Sequence, residues 1–276
     1  MDWAPSTFSE TQWQALLEHQ SNTQLSKVLR DVLPTLLNWL EEYDVKVSAS
    51  LWPDWLMLLA VEDIRSEEDV RLGGMILDKF LSSPFTCEEY SAAIESTEIL
   101  CAENVSVRTL GYSLDIAELL YDRVTANEAS RLGFWIKLQE LLKHRWERLD
   151  ASMQFSARMV ERLYLGEHAG NVFPSEDNTP GVASSLHRDL SGKTLAIYSL
   201  MKGAARRGKE ALLQLYPGLE VELNHDHVAT PALVNLAKTA DYFIFASSSS
   251  KHQAFYAVTD YRKEIIYPSG KGGRPV

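Results

Sequence analysis

Cysteine is nearly missing from this chain of 276 residues. Cys87 and Cys101 are the only two, and neither sits in a CxxC pair or at metal-ligand spacing, which excludes a disulfide framework and a zinc module. Long apolar runs are missing too. The longest, Leu51 to Val61, is interrupted by Pro53 and Asp54 and falls well short of the roughly 20 residues of a membrane helix. The opening Met1-Asp-Trp-Ala-Pro5 has neither the basic region nor the apolar stretch of a signal peptide, so the sequence predicts a cytoplasmic chain with no membrane partner. There is no GxGxxG, HExxH, GxSxG or EF-hand loop, and no cofactor or metal is expected. Ser191-Gly-Lys-Thr194 ends like a phosphate loop, but it has His187 where the first glycine belongs and it precedes a strand instead of following one.

What is present is enough apolar material for a core: 45% of the residues are hydrophobic and 10% aromatic, which excludes global disorder. The net charge of −11 is unevenly distributed. Residues 1–184 carry 15 basic against 30 acidic side chains, and residues 185–276 carry 12 against 8. An acidic body repels phosphates, so anion recognition is expected in the C-terminal part.

The first part reads as helix. Thr7 with Glu10, Ser66 with Asp69, Thr86 with Glu89 and Thr125 with Glu128 have capping-box spacing, predicting helices near 8–20, 67–82, 87–100 and 126–149. Val28, Leu29, Val32, Leu33, Leu36, Leu37 and Leu40 recur at helical spacing around Pro34, which either kinks that helix or opens a new one. Pro53 reads as a first-turn proline ahead of an all-round apolar helix that should be central. Trp135, Leu138, Leu142, Trp146 and Leu149 form a stripe expected to be core, and a further helix over 151–165 ends at Gly166. An array of helix pairs is possible, although the helix starts show no constant period. The fold class predicted is therefore α + α/β: an α-helical scaffold domain over 1–165 that offers a surface to a protein partner, a linker or loop over 166–192 rich in Gly, Pro, Ser and Asn, and a Rossmann-like domain over 193–276.

In that last part, apolar runs at Leu195–Ser199, Leu219–Leu223, Tyr242–Ala246 and Glu264–Tyr267 alternate with amphipathic stretches, as in a parallel β-α-β-α-β-α-β unit with flanking helices. The second run alternates polar and apolar residues like an edge strand, while the first and third are almost uniformly apolar, which predicts the order 2-1-3-4. A crevice then opens between the loops that follow strands one and three.

The polar residues of those loops are the candidate site. Ser247, Ser249, Lys251 and His252 lie at a helix start, where hydroxyls, free amides and positive charge suit a phosphate or carboxylate. Lys202 faces them across the crevice, and Lys271 follows the fourth strand. Asn224, His225, Asp226 and His227 end strand two, just ahead of Thr230-Pro231, an N-cap followed by a first-turn proline. The His-Asp-His triplet is open to three readings: ligand contact or acid–base work, structural hydrogen bonding, or a metal site completed by His252 or Asp226.

Residues Leu195 to Gly273, above all Asn224-His-Asp-His-Val-Ala-Thr-Pro-Ala-Leu233 with Ala240-Asp-Tyr-Phe-Ile-Phe-Ala246 and Lys251-His252, resemble the Rossmann-like C-terminal domain of the DpdD-like proteins that accompany bacterial DNA-modification and phage-defence clusters. The resemblance implies a component of such a system. The residues themselves point to an anionic ligand, a nucleotide or a nucleic-acid phosphate. The alternatives are a hydrolase or phosphoesterase using His225, Asp226 and His227, and an adaptor without a ligand.

Overall fold

The computed structural model describes residues 9–19, 23–43, 45–61, 66–102, 106–166, 172–174, 189–226, 228–246 and 252–268. The chain divides into two compact units, Met1–Pro174 and Ser175–Val276.

The first unit consists of α1 (Glu10–Leu17), α2 (Thr23–Glu42), α3 (Leu51–Ala60), α4 (Glu67–Leu81), α5 (Cys87–Ala102), α6 (Val107–Asp122), α7 (Glu128–His144), a short 3₁₀ turn at Trp146–Arg148 and α8 (Ala151–Leu165). Two of the predicted capping boxes form. Ser66 Oγ accepts from the Asp69 amide at 3.2 Å while the Asp69 carboxylate accepts from the Ser66 amide at 2.7 Å, and Thr86 and Glu89 exchange the same bonds at 3.2 and 2.8 Å. The other two starts are corrected. Ser9 caps α1, with Thr7 outside the described residues, and Asn127 caps α7 by accepting from the Ser130 amide at 3.2 Å, two residues beyond Thr125. Asparagine at this position satisfies the same first-turn amides as threonine does.

Pro34 lies inside α2, which runs on as one helix although the proline nitrogen donates no hydrogen bond. Helix α3 holds the centre: eight of its ten residues are buried, and it packs against α1, α2, α4 and α5. Further along, each helix rests on the one two before it, α5 on α3, α6 on α4, α7 on α5 and α8 on α6, so the unit is a double row of stacked helices. Gly73 lets two of them close up, since a Cβ there would stand 2.3 Å from Leu100 Cδ2. The stripe from Trp135 to Leu149 is core, but α7 stops at His144 and Trp146 sits in the 3₁₀ turn.

Part of the predicted linker belongs to this unit. Phe173 is buried against Trp146, their rings stacked at 4.6 Å, and Arg158 donates to the Pro174 carbonyl at 3.0 Å. At the other end of that segment, Leu190–Gly192 turns into the second unit: the Gly192 amide donates to the Gly218 carbonyl at 2.8 Å, and both glycines take positive φ.

The second unit has β1 (Thr194–Tyr198), α9 (Lys202–Leu215), β2 (Glu220–Asn224), α10 (Pro231–Thr239), β3 (Tyr242–Phe245) and α11 (His252–Thr259). Its sheet is parallel with the order β2-β1-β3. Strand β2 lies at the edge with alternating burial, as its sequence predicts. The sheet has three strands instead of four. The run Glu264–Tyr267 reaches β3 only as a single parallel bridge, Ile244 to Ile266. Two local features stop it there. Pro268 has no amide for a ladder, and the Glu264 carbonyl is taken by Arg262 Nε at 2.9 Å.

Alternation along β1 makes the layers. Leu195 and Ile197 join Val221 and Ala205 beneath α9, while Ala196 and Tyr198 join Phe243, Phe245, Leu233 and Ala254 beneath α10 and α11. Arg262 fastens the second layer by donating to the carbonyls of Ala240 at 2.6 Å and Asp241 at 2.5 Å at the end of α10.

Candidate functional site

The C-terminal ends of β1 and β2 are joined by a polar network. The Ser199 amide donates to the Asn224 carbonyl at 3.1 Å, and His225 Nδ1 stands 2.6 Å from the Ser199 carbonyl. A carbonyl only accepts, so Nδ1 must carry the proton, and Nε2 is left as the nitrogen that can accept a hydrogen bond or take a proton. His225 is half-buried.

Asp226 has a different role. Its carboxylate accepts from Asn224 Nδ2 at 2.8 Å and from the Thr230 hydroxyl, its amide donates to Asn224 Oδ1 at 3.1 Å, and its carbonyl accepts from the Tyr198 hydroxyl at 2.9 Å. Thr230 Oγ1 in turn accepts from the Leu233 amide at 3.2 Å and caps α10, with Pro231 at its first turn. Asn224, Asp226 and Thr230 thus form a brace that fixes the turn from which His225 projects. Asn224 is only 6% exposed, and both polar atoms of its side chain serve this brace.

Helix α9 offers the complementary feature. It begins at Lys202 without a side-chain cap, since its N-cap position is Met201. Among the described residues no side chain accepts from its first-turn amides, in contrast to α10, and the exposed Lys202 stands in that turn at the same sheet edge. Strands β2 and β3 lie on opposite sides of β1, and the bridge from Ile266 lies beyond β3, so the chain leaves β1 and β3 in opposite directions, the topology at which open parallel sheets bind ligands.

At the opposite edge of the sheet the charges are paired. Asp241 accepts from the Thr194 amide at 2.9 Å and from Lys193 Nζ at 2.9 Å. These two bonds, the backbone one first, hold its carboxyl below the ordinary aspartate value.

Of the residues predicted from sequence, the structure brings Asn224, His225, Asp226 and Thr230 together and places Lys202 at the start of α9. His252 begins α11. His227, Ser247, Ser249, Lys251 and Lys271 lie outside the described residues. Among the described residues no group of three or more His, Cys, Asp or Glu side chains is placed to hold a metal. Sequence reasoning missed Ser199 and Tyr198, the residues that orient His225 and Asp226. Their only signal is position, the last strand residue and the one after it at a sheet's ligand-binding edge.

A family model described as DpdD-like matches residues 1–273. The chain belongs to the DpdD-like family. The match spans essentially the whole chain, the helical unit included, and so corrects the resemblance read from the last third alone. No significant match joins the chain to a curated protein or to a solved structure. Among the described residues no helix is long and apolar enough to cross a membrane.

Proposed function

We propose that this DpdD-like protein serves a DNA-modification or defence system by binding an anionic ligand, a nucleotide or a nucleic-acid phosphate, at the C-terminal edge of its α/β sheet, and that its stacked helices present a surface to a protein partner. Family membership supports the setting. The observation that carries the ligand reading is the start of α9: an uncapped helix of 14 residues with Lys202 in its first turn, opening beside the switch point between β1 and β3. Free amides and a lysine at such a place complement phosphate charge. His225 adds a second ring nitrogen, Nε2, on a ring held through Nδ1 by the Ser199 carbonyl.

The hydrolase reading keeps two members of its triplet, His225 and Asp226, within the described residues. Asp226 is committed to Asn224 and Thr230, which leaves His225 as the base, its ring held in the tautomer a base requires.

Melting the protein against a panel of nucleoside mono-, di- and triphosphates tests the ligand reading. A binder present at 100 times its dissociation constant adds about 2.7 kcal/mol to the stability of the folded state. No stabilisation by any phosphate-bearing compound would favour the adaptor reading, and turnover of a bound nucleotide that is lost in His225→Gln would favour the hydrolase.

A further inference from the structure

The helical unit has a cleft of about 450 Å³ between the end of α7, the 3₁₀ turn and Val172–Pro174. Its back wall is fixed by aromatic packing. Trp146 and Phe173 stack with their planes 11° apart, and the Arg158 guanidinium lies 5.2 Å from the Trp146 ring centroid while it holds the Pro174 carbonyl. The rim is basic: Lys143, His144, Arg145 and Arg148 line it against one carboxylate, Glu147.

That rim reverses the sign of the surrounding chain, for residues 1–142 carry 24 acidic and 10 basic side chains. Lys143 and His144 fall in the last turn of α7, where the helix dipole favours cations, while Arg148 lies beyond the helix end in the 3₁₀ turn. Lys143 and Arg148 are exposed and have no ion-pair partner among the described residues. His144 Nδ1 donates to the Glu140 carbonyl at 2.8 Å, which leaves Nε2 to take a proton or accept a bond.

We infer that this cleft is a second anion site, separate from the sheet edge, and that it takes a compact phosphate-bearing ligand of nucleotide size. The volume lies in the usual range of small-molecule sites, about 300–1,000 Å³. Arg148 supplies the planar fork that grips two phosphate oxygens, and Lys143 adds a point charge. A compact ligand fits better than a long nucleic acid. The favourable field is local, exposed charges are screened beyond about 10 Å at ordinary salt, and a polyanion leaving the cleft would run onto an acidic body.

Equilibrium dialysis of radiolabelled ATP against the full chain, with and without competing inorganic phosphate, tests this. Two equivalents are expected for the wild type. In Lys143→Ala/Arg148→Ala one equivalent should weaken about tenfold or more, the usual result of removing charge-assisted contacts, while Lys202→Ala should retain it. Both side chains are exposed, so unchanged circular dichroism and melting will confirm folding; Arg148→Glu, which reverses one charge without touching the core, should lose the same equivalent. Wild-type ATP binding in the double variant would overturn the inference. So would a single equivalent lost only in Lys202→Ala, or a rim-dependent affinity for a single-stranded oligonucleotide that ATP cannot displace.

Discussion

The helical unit and the α/β unit solve the burial problem differently. The first encloses one continuous core in which Trp55, Trp135, Tyr90, Phe80 and Phe134 are all but completely buried, whereas the second divides its apolar residues into two thin layers on either side of a three-stranded sheet. A thick core tolerates few polar groups, and helix interiors leave no backbone free for a ligand. A thin sheet ends its strands at the surface, where the backbone and the side chains of Ser199, Asn224, His225 and Asp226 can form a polar network. The contrast locates stability in one unit and the sheet-edge site in the other.

The largest test of this contrast is Trp55→Ala. The ring is fully buried and meets Trp13 and Trp52 edge to face at 5.8 and 5.1 Å, so its removal should cost the helical unit about 3–5 kcal/mol. We propose that the two units unfold separately. Calorimetry of the variant should then show one transition lowered and the other unmoved, and a joint downward shift would show that the units unfold as one.

A smaller effect is expected from Thr230→Ala. The hydroxyl caps α10 and supports the Asp226 carboxylate, so its loss should lower the stability of the α/β unit by about 1–2 kcal/mol, measured by urea denaturation. An unchanged midpoint would mean that the brace around His225 contributes nothing to the unit.

How much of this was legible in the sequence differs between the units as well. Capping boxes at Ser66 and Thr86, the central α3 and the helix ending at Gly166 were readable because each depends on neighbours within a turn or two. The order of β2, β1 and β3 was readable from the difference between alternating and uniform apolar runs. The reduction of the fourth strand to one bridge was not, because it depends on Arg262 drawing the Glu264 carbonyl away, a contact that no local pattern announces. At the site, the sequence drew attention to Asn224, His225, Asp226 and Thr230 as a group but did not divide their roles. That division needs the Ser199 carbonyl, 26 residues away in the chain, to accept a hydrogen bond from His225 Nδ1, and the Thr230 hydroxyl to donate to the Asp226 carboxylate.

The smallest effect concerns pH. Asp241 is held below its ordinary value of 3.8 by the Thr194 amide and Lys193. A carboxyl whose folded value is depressed contributes stability that is present above the unfolded value and lost as pH falls through the folded one. Asp241→Asn should therefore make the acid limb of the α/β unit slightly flatter below about pH 4, the ordinary carboxylate range, with little change at neutral pH. An acid limb identical to the wild type would remove the pair from the stability of this edge.

We propose that the sheet edge, with Lys202 at the start of α9, receives an anion. Isothermal titration of ATP into the full chain and into Lys202→Ala, both carrying Lys143→Ala/Arg148→Ala to silence the helical cleft, tests it directly. One site is expected in the parent, weakened about tenfold or more by Lys202→Ala, in keeping with the loss of one charge-assisted contact of about 1.5–3 kcal/mol. Equal affinity in the two proteins, or no heat in either, would contradict it.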